Sequence, residues 1–262
     1  MLTLLLLIGA AFLAFLLMAG LWLIQLRTHV AAIVDVGWAL GIAIIAAGFY
    51  LFGDGSPGRK LLMVTMGTVW GLRLAGYLLF TRVLGTKGEE DGRYTQLKAE
   101  WKTNLPLKFF IFFQFQAGLD VIFAIPLLVM AVNPAPELGS LEWAGAAIWL
   151  VGVAGESIAD MQLHVFKRQS HPKSQICQAG LWNYSRHPNY FFEWLVWVGF
   201  FIAALPSPGG WIALVCPVLM LFFLFKVTGI PATEAQALRS RGDAYREYQR
   251  TTSAFVPWFK RS

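Results

Sequence analysis

The segment Gly180-Leu-Trp-Asn-Tyr-Ser-Arg-His-Pro-Asn-Tyr-Phe-Phe-Glu193 places amide, guanidinium, imidazole and carboxyl groups at the head of an apolar run that continues to Leu205. Polar groups without partners are costly against hydrocarbon, so a cluster at the mouth of a membrane helix needs a reason, and we read it as a cofactor site. Helical spacing groups further residues. Asn189 and Glu193, Glu156 and Asp160, Asp160 and His164, Arg73 and Tyr77, and Gln116 and Asp120 are each four apart, so each pair shares a helix face. Pro188 suits a first helical turn, and the amides behind it would favour an anionic pyrophosphate, helped by Arg186, Lys167, Arg168 and Lys173. The competing readings are hydrogen bonds between helices for Gln116 and Asp120, and lipid-headgroup contact for the lysines and Arg168.

The elements that must position these groups follow from composition. Of 262 residues 57% are hydrophobic, and the mean hydropathy of +0.57 marks a polytopic, all-α membrane protein. Windows able to cross about 30 Å of hydrocarbon fall at 2–25, 30–52, 61–80, 109–132, 141–159, 190–205 and 211–227. Seven spans put the termini on opposite sides. With the N-terminus outside, 18 basic residues lie in cytoplasmic segments against Arg59 and Lys60 outside, so the expected topology is N-out with a cytoplasmic C-terminus. The net charge of +6 then faces membrane lipids and needs no nucleic acid. The first span has no cleavage pattern and reads as a retained helix.

Counting along 1.5 Å rises, Asp35, Tyr77, Glu193 and Glu156 all lie within about 10 Å of the cytoplasmic ends of their spans. Polar residues from spans of both directions thus converge at one depth, which predicts a shared cavity open to the cytoplasm. Cys177 and Cys216 are too few and too separated for a disulfide framework or a metal site. Gly53-Asp-Gly-Ser-Pro-Gly58 fits G-x-G-x-x-G literally, but it follows no strand and reads as a glycine-rich turn. Asn183-Tyr-Ser185 fits a glycosylation acceptor on the wrong side of the membrane. One integral membrane domain, 1–262, is expected, with 1–107 mainly forming a substrate chamber and 108–262 mainly binding cofactor; a monomer is expected.

The run from Asp160 through Gly180 to Glu193, with the tail Glu234, Tyr245-Arg-Glu-Tyr248 and Phe255-Val-Pro257, resembles the C-terminal domain of the steroid 5-alpha-reductase family, bacterial branch. The resemblance is specific over the last 110 residues or so and looser before residue 100. It implies an NADPH-dependent enzyme that reduces the C4–C5 double bond of a 3-oxo-delta-4 steroid or similar lipid enone, in the bacterial inner membrane if the chain is prokaryotic. By resemblance Asp160, Asn189 and Glu193 match cofactor-binding positions and Tyr248 lies in the matching tail. Arg93 and Tyr94 fall in a stretch similar to a loop over the adenosine end. With them the cofactor set comprises Arg73, Glu156, Lys167, Tyr184, Arg186, His187, Glu234 and Tyr245. Val34-Asp35 stands where mammalian members have Gln-Glu, and Tyr77 stands near their catalytic tyrosine. Membrane methyltransferases of the isoprenylcysteine carboxyl type share an Arg-His-Pro-x-Tyr element, so an S-adenosylmethionine-dependent enzyme is the alternative; a transporter using the same polar cavity is a third class.

Enone reduction places negative charge on the carbonyl oxygen and requires a donor aimed at it in a dry pocket. Tyr77 can supply an O–H, and Asp35, if burial keeps it neutral, a second. Arg73 would tune either group. Trp38, Trp70, Gln116 and Asp120 are the expected lining of the substrate chamber, against lipid contact as the plainer role for most aromatics.

Overall fold

A computed structural model describes residues 1–85, 90–169, 172 and 175–260. The fold is all-α: α1 Leu2–Thr28, α2 Ile33–Phe52, α3 Pro57–Leu78, α4 Gly92–Trp101, α5 Leu105–Phe123, α6 Ile125–Ala131, α7 Ser140–Arg168, α8 Pro188–Ala204, α9 Val215–Phe222, α10 Ile230–Arg241 and α11 Asp243–Thr251. Six helical runs among the described residues are long and apolar enough to cross a bilayer. The chain is an integral multi-pass membrane protein. Its helices expose the side chains that lipid tolerates, among them Leu4, Ile8, Phe12, Leu72, Ile111, Leu150 and Val218.

Three expected spans come out differently. The window 109–132 breaks between α5 and α6, because Pro126 has no N–H and its ring crowds the carbonyl one turn back. The window 190–205 forms α8, which at 17 residues is shorter than the other six runs. The last window is irregular: a 3-10 turn Gly210–Leu214, then α9, then a π segment Phe223–Val227 ahead of α10. Proline opens α3 at its first position, where the missing N–H has no partner to lose.

The chain divides into two compact units, Met1–Gly139 with Ala204–Ile212, and Ser140–Ala203 with Ala213–Ser262. Stretch 108–139 therefore groups with the N-terminal helices. In the first unit α2 and α3 approach through glycine: a Cβ on Gly71 would lie 2.6 Å from the Ala39 carbonyl oxygen, and one on Gly67 2.7 Å from Ala46 Cβ. The 53–58 turn has the role expected of it. Gly55 N–H donates to Ala131 O at 2.8 Å and Ser56 N–H to Asn133 O at 2.9 Å, laying the turn along the chain after α6. Arg59, counted in the sequence only as a basic residue outside the membrane, is buried and donates to Ser56 Oγ, Ala135 O and Glu137 O.

In the second unit α7 and α8 meet backbone to backbone. A Cβ on Gly145 would lie 2.4 Å from Ala203 N, one on Gly152 2.8 Å from Val196 N, and one on Gly199 2.6 Å from Trp149 N. Helices in lipid gain nothing from hiding leucine, so small residues that permit this approach drive association. The 3-10 turn Gly180–Asn183 docks on α7: Leu181 N–H donates to Gln162 Oε1 and the Trp182 indole to Ala159 O, each at 2.9 Å. Gly180 has φ +54°, which glycine adopts without strain, and the Gln162 amide packs where a Cβ would go.

Gly199→Leu should force α7 and α8 apart and destabilise the chain by about 1–3 kcal/mol or more. Gly20→Ala, whose Cβ meets nothing within 4 Å, should be neutral or slightly stabilising. Thermal midpoints of the two variants in detergent check the contrast.

Candidate functional site

Asp35 lies in the first turn of α2 and gathers three donors. Its Oδ2 accepts from Arg82 Nη1 at 2.6 Å and Arg93 Nη2 at 2.8 Å, and its Oδ1 from the Tyr94 hydroxyl at 2.6 Å. Arg82 comes from the π segment Leu79–Leu84, while Arg93 and Tyr94 open α4 behind the N-cap Asp91, which accepts from Arg93 N at 2.9 Å. Glu90 fixes the same arm from the other side. It accepts from the Ala31 and Ala32 amides at 2.8 and 3.3 Å and pairs with Lys98 at 2.7 Å.

Burial and then the adjacent Asp35 charge push the Tyr94 phenol well above the usual tyrosine range, so it stays a donor. Burial works against the Arg93 cation, but Asp35 and then Tyr94 more than offset it. Every group facing Asp35 donates, which is the environment of a carboxylate. The expected neutral second donor is therefore replaced by an acceptor that anchors Arg82, Arg93 and Tyr94.

Tyr77 and Arg73, one turn apart on α3, are in contact, with the guanidinium 5.8 Å from the ring centroid. Trp38 and Trp70 meet edge to face at 5.5 Å, and Trp38 meets Phe123 at 5.6 Å, so these rings pack the interior of the first unit. Asp120 is fully buried with neither carboxyl oxygen hydrogen-bonded, and it fills the space that a Cβ on Gly41 would need, 2.3 Å away. The bond to another helix weighed for Asp120 is thus not formed. Gln116 is half-buried on the same helix and does not reach Asp120.

In the second unit the close crossing of α7 and α8 brings Asn189 Nδ2 to 3.3 Å from Asp160 Oδ1. Glu156, one turn back from Asp160, is also buried. Glu193 accepts from the Trp197 indole at 3.4 Å, and Lys167 stands exposed two turns beyond Asp160. Lys173 lies outside the described residues.

The neighbouring motif residues form a different structure, a clasp on the C-terminal tail. Arg186 Nε donates to Glu234 Oε1 at 2.7 Å, and its Nη1 to Gln249 O at 2.9 Å and Thr252 O at 2.5 Å. Glu234 also takes His187 Nε2 at 3.2 Å and Gln249 Nε2 at 2.6 Å. The Tyr190 hydroxyl meets Thr233 Oγ1 at 3.2 Å, and its ring stacks on His187. The Tyr248 hydroxyl donates to the Trp182 and Ser185 carbonyls, Ser185 Oγ donates to Phe255 O, and Trp258 N–H donates to Tyr184 O. Burial first raises the Tyr245 and Tyr248 phenols.

With these donors taken, Arg186 is a poor match to the pyrophosphate role expected of it. The Arg186 and His187 amides ahead of α8 are likewise bound, to Ser253 O and Ser185 Oγ. Sequence reasoning missed Arg82, Glu90, Ser185, Gln249 and Thr252. Among these only Glu90 carried a signal, as an acidic residue one turn before a basic one at a helix start.

Residues 21–252 match a family described as a protein of unknown function, DUF1295. The chain belongs to that family. Two relatives from Schizosaccharomyces pombe are similar to this DUF1295 chain. Uncharacterized protein C9.08c is 30% identical over 128 residues, which is 42% of this chain and 45% of that protein. Uncharacterized protein C594.04c is 23% identical over 214 residues, 72% of this chain and 62% of that one. The chain thus spans only about half of one relative and 62% of the other. No solved structure matches it.

The clasp carries its own pH dependence. Burial holds His187 below its ordinary range, against the hydrogen bond and charge of Glu234. The unfolded chain therefore binds the proton more readily, and stability present above about pH 6.5 is lost as pH falls through that value. Thermal midpoints between pH 8 and 5 should drop for the wild type and drop less for His187→Gln. Glu234→Ala leaves a mostly buried Arg186 without its carboxylate and should cost about 3 kcal/mol at neutral pH, read as a lower midpoint.

Proposed function

We propose that this chain is an NADPH-dependent reductase acting on the carbon–carbon double bond of a 3-oxo-delta-4 steroid or similar lipid enone, as in the steroid 5-alpha-reductases its C-terminal half resembles. The observation that carries the reading is the Asp160–Asn189 pair, formed by two of the three residues that the resemblance matches to cofactor-binding positions. Their 3.3 Å bond is long for an amide to a carboxylate, so exchanging it for a ligand would cost little. Asn189 offers both a donor and an acceptor to a carboxamide, and Asp160 offers acceptors to ribose hydroxyls. Glu156 and Glu193, one turn from Asp160 and Asn189 on their helices, would flank the bound cofactor, with exposed Lys167 further along α7.

NADPH, when bound, supplies the hydride. The chain's part is to bind, to exclude water and to hold a proton near the substrate oxygen. Tyr77 is the donor for that oxygen, with the Arg73 guanidinium over its ring stabilising a developing phenolate. Asp35 serves by fixing Arg93 and Tyr94, not as a second donor. The reading takes α8 as a seventh span, the N-terminus outside and the C-terminus cytoplasmic, and the basic-residue imbalance supports that orientation.

Detergent-purified chain should oxidise NADPH in the presence of progesterone or a related enone and yield the saturated ketone. Tyr77→Phe should lower turnover about 100-fold while leaving NADPH-induced thermal stabilisation intact. Asn189→Ala should weaken that stabilisation instead. Stabilisation by S-adenosylhomocysteine but not by NADPH would overturn the reading in favour of a methyltransferase.

A further inference from the structure

The C-terminal tail ends in an apolar surface that neither the clasp nor the cofactor pair uses. Trp258 and Phe259 are 67% and 74% exposed, Val256 49% and the neighbouring Tyr184 40%. These are large side chains outside any span, and the three aromatics form one patch: the Phe259 ring meets Tyr184 at 6.2 Å and Trp258 at 6.3 Å, both edge to face. Contiguous exposed aromatics mark an interaction surface, not scatter.

The tail's attachment fixes its level relative to the bilayer. Phe255 is buried against Phe191 and Trp194 in the first two turns of α8, at 5.6 and 5.9 Å, and against Phe225 at 5.1 Å. Phe225 precedes exposed Lys226 in the π segment where the last apolar run gives way to charge. Phe255 therefore lies where two apolar runs reach the membrane boundary. Three residues of extended chain reach at most roughly 10 Å, comparable to the headgroup layer on one side of the hydrocarbon. A backbone bond from Trp258 N to Tyr184 O and a side-chain bond from Ser185 Oγ to Phe255 O keep this short segment against the start of α8.

We infer that Val256, Trp258 and Phe259, with Tyr184, form an interfacial anchor that inserts into the headgroup region of the leaflet α8 enters. The occupant of the patch is the lipid surface of the protein's own membrane. Tryptophan and tyrosine rings favour that layer, and phenylalanine and valine favour the acyl boundary beneath it. Lys260, held by Gln178 at 2.7 Å, extends the patch with a cation suited to lipid phosphate. The anchor holds the clasped tail flat on the membrane.

The test uses the whole chain in nanodiscs, comparing wild type with Trp258→Phe so that the difference in emission reports Trp258 alone. Lipids brominated near the headgroup should quench that difference signal. Aqueous iodide should quench it about 5-fold less than it quenches free tryptophanamide. Equal quenching by iodide, with no effect of brominated lipid, would overturn the inference. So would shielding that appears only with two chains per disc, since the occupant would then be a second copy. Trp258 is two-thirds exposed, so its replacement by Phe leaves the fold in place; Phe259→Cys carrying a polarity-sensitive label gives the same reading independently.

Discussion

Hydrocarbon offers a polar group no water, and every other feature of this chain follows from that constraint. Helices cannot associate by hiding apolar surface from a solvent that is itself apolar, so they associate where glycine lets backbones touch. Gly67 and Gly71 do this for α2 and α3, and Gly145, Gly152 and Gly199 for α7 and α8. Polar side chains then survive only where these crossings give them partners. Asp160 and Asn189 meet because α7 and α8 are held at glycine distance along the turns beyond them.

The same constraint explains why charge near the membrane ends is organised in networks. Asp35 binds two guanidiniums and a phenol, while Glu234 binds a guanidinium, an imidazole and an amide. Each carboxylate draws an otherwise separate segment, α4 in one unit and α10 with α11 in the other, onto the start of an apolar helix, α2 or α8. These segments are polar helices with little apolar surface of their own to bury. Charge-assisted bonds in partly dehydrated settings are strong enough to fix them, where isolated surface pairs would not be.

Much of this was legible in the sequence, and what was not has an identifiable cause. Apolar windows located α1, α2, α3 and α7 because hydropathy reports directly on lipid exposure. They overran Pro126, since a proline inside an apolar stretch changes hydropathy little but removes a helix bond. Spacing by four identified the faces of Arg73 with Tyr77 and of Asn189 with Glu193, because helix periodicity is local. It said nothing of Asp35 with Arg82 and Arg93, which are 47 and 58 residues apart. An apolar span would keep Asp35 a neutral donor by burial, but the cations that make it a carboxylate come from outside that helix. Arg59 counts in the sequence only as a basic residue outside the membrane, and the backbone carbonyls that bury it come from the chain after α6.

The Arg186-His-Pro-Asn-Tyr190 element shows how a motif can be specific without naming a cofactor. In this chain Arg186 and His187 hold Glu234, Tyr190 meets Thr233, and Pro188 starts α8. All of these join a helix start to a tail, a task indifferent to what is bound nearby. An element shared by reductases and methyltransferases is then expected wherever this clasp is needed. On the reading proposed above, discrimination would come from residues the clasp leaves out, Asp160 on α7 with Asn189 and Glu193 on the first two turns of α8. Asn189 sits within the motif yet turns away from the clasp toward Asp160, so one pentapeptide serves both the clasp and the α7–α8 crossing.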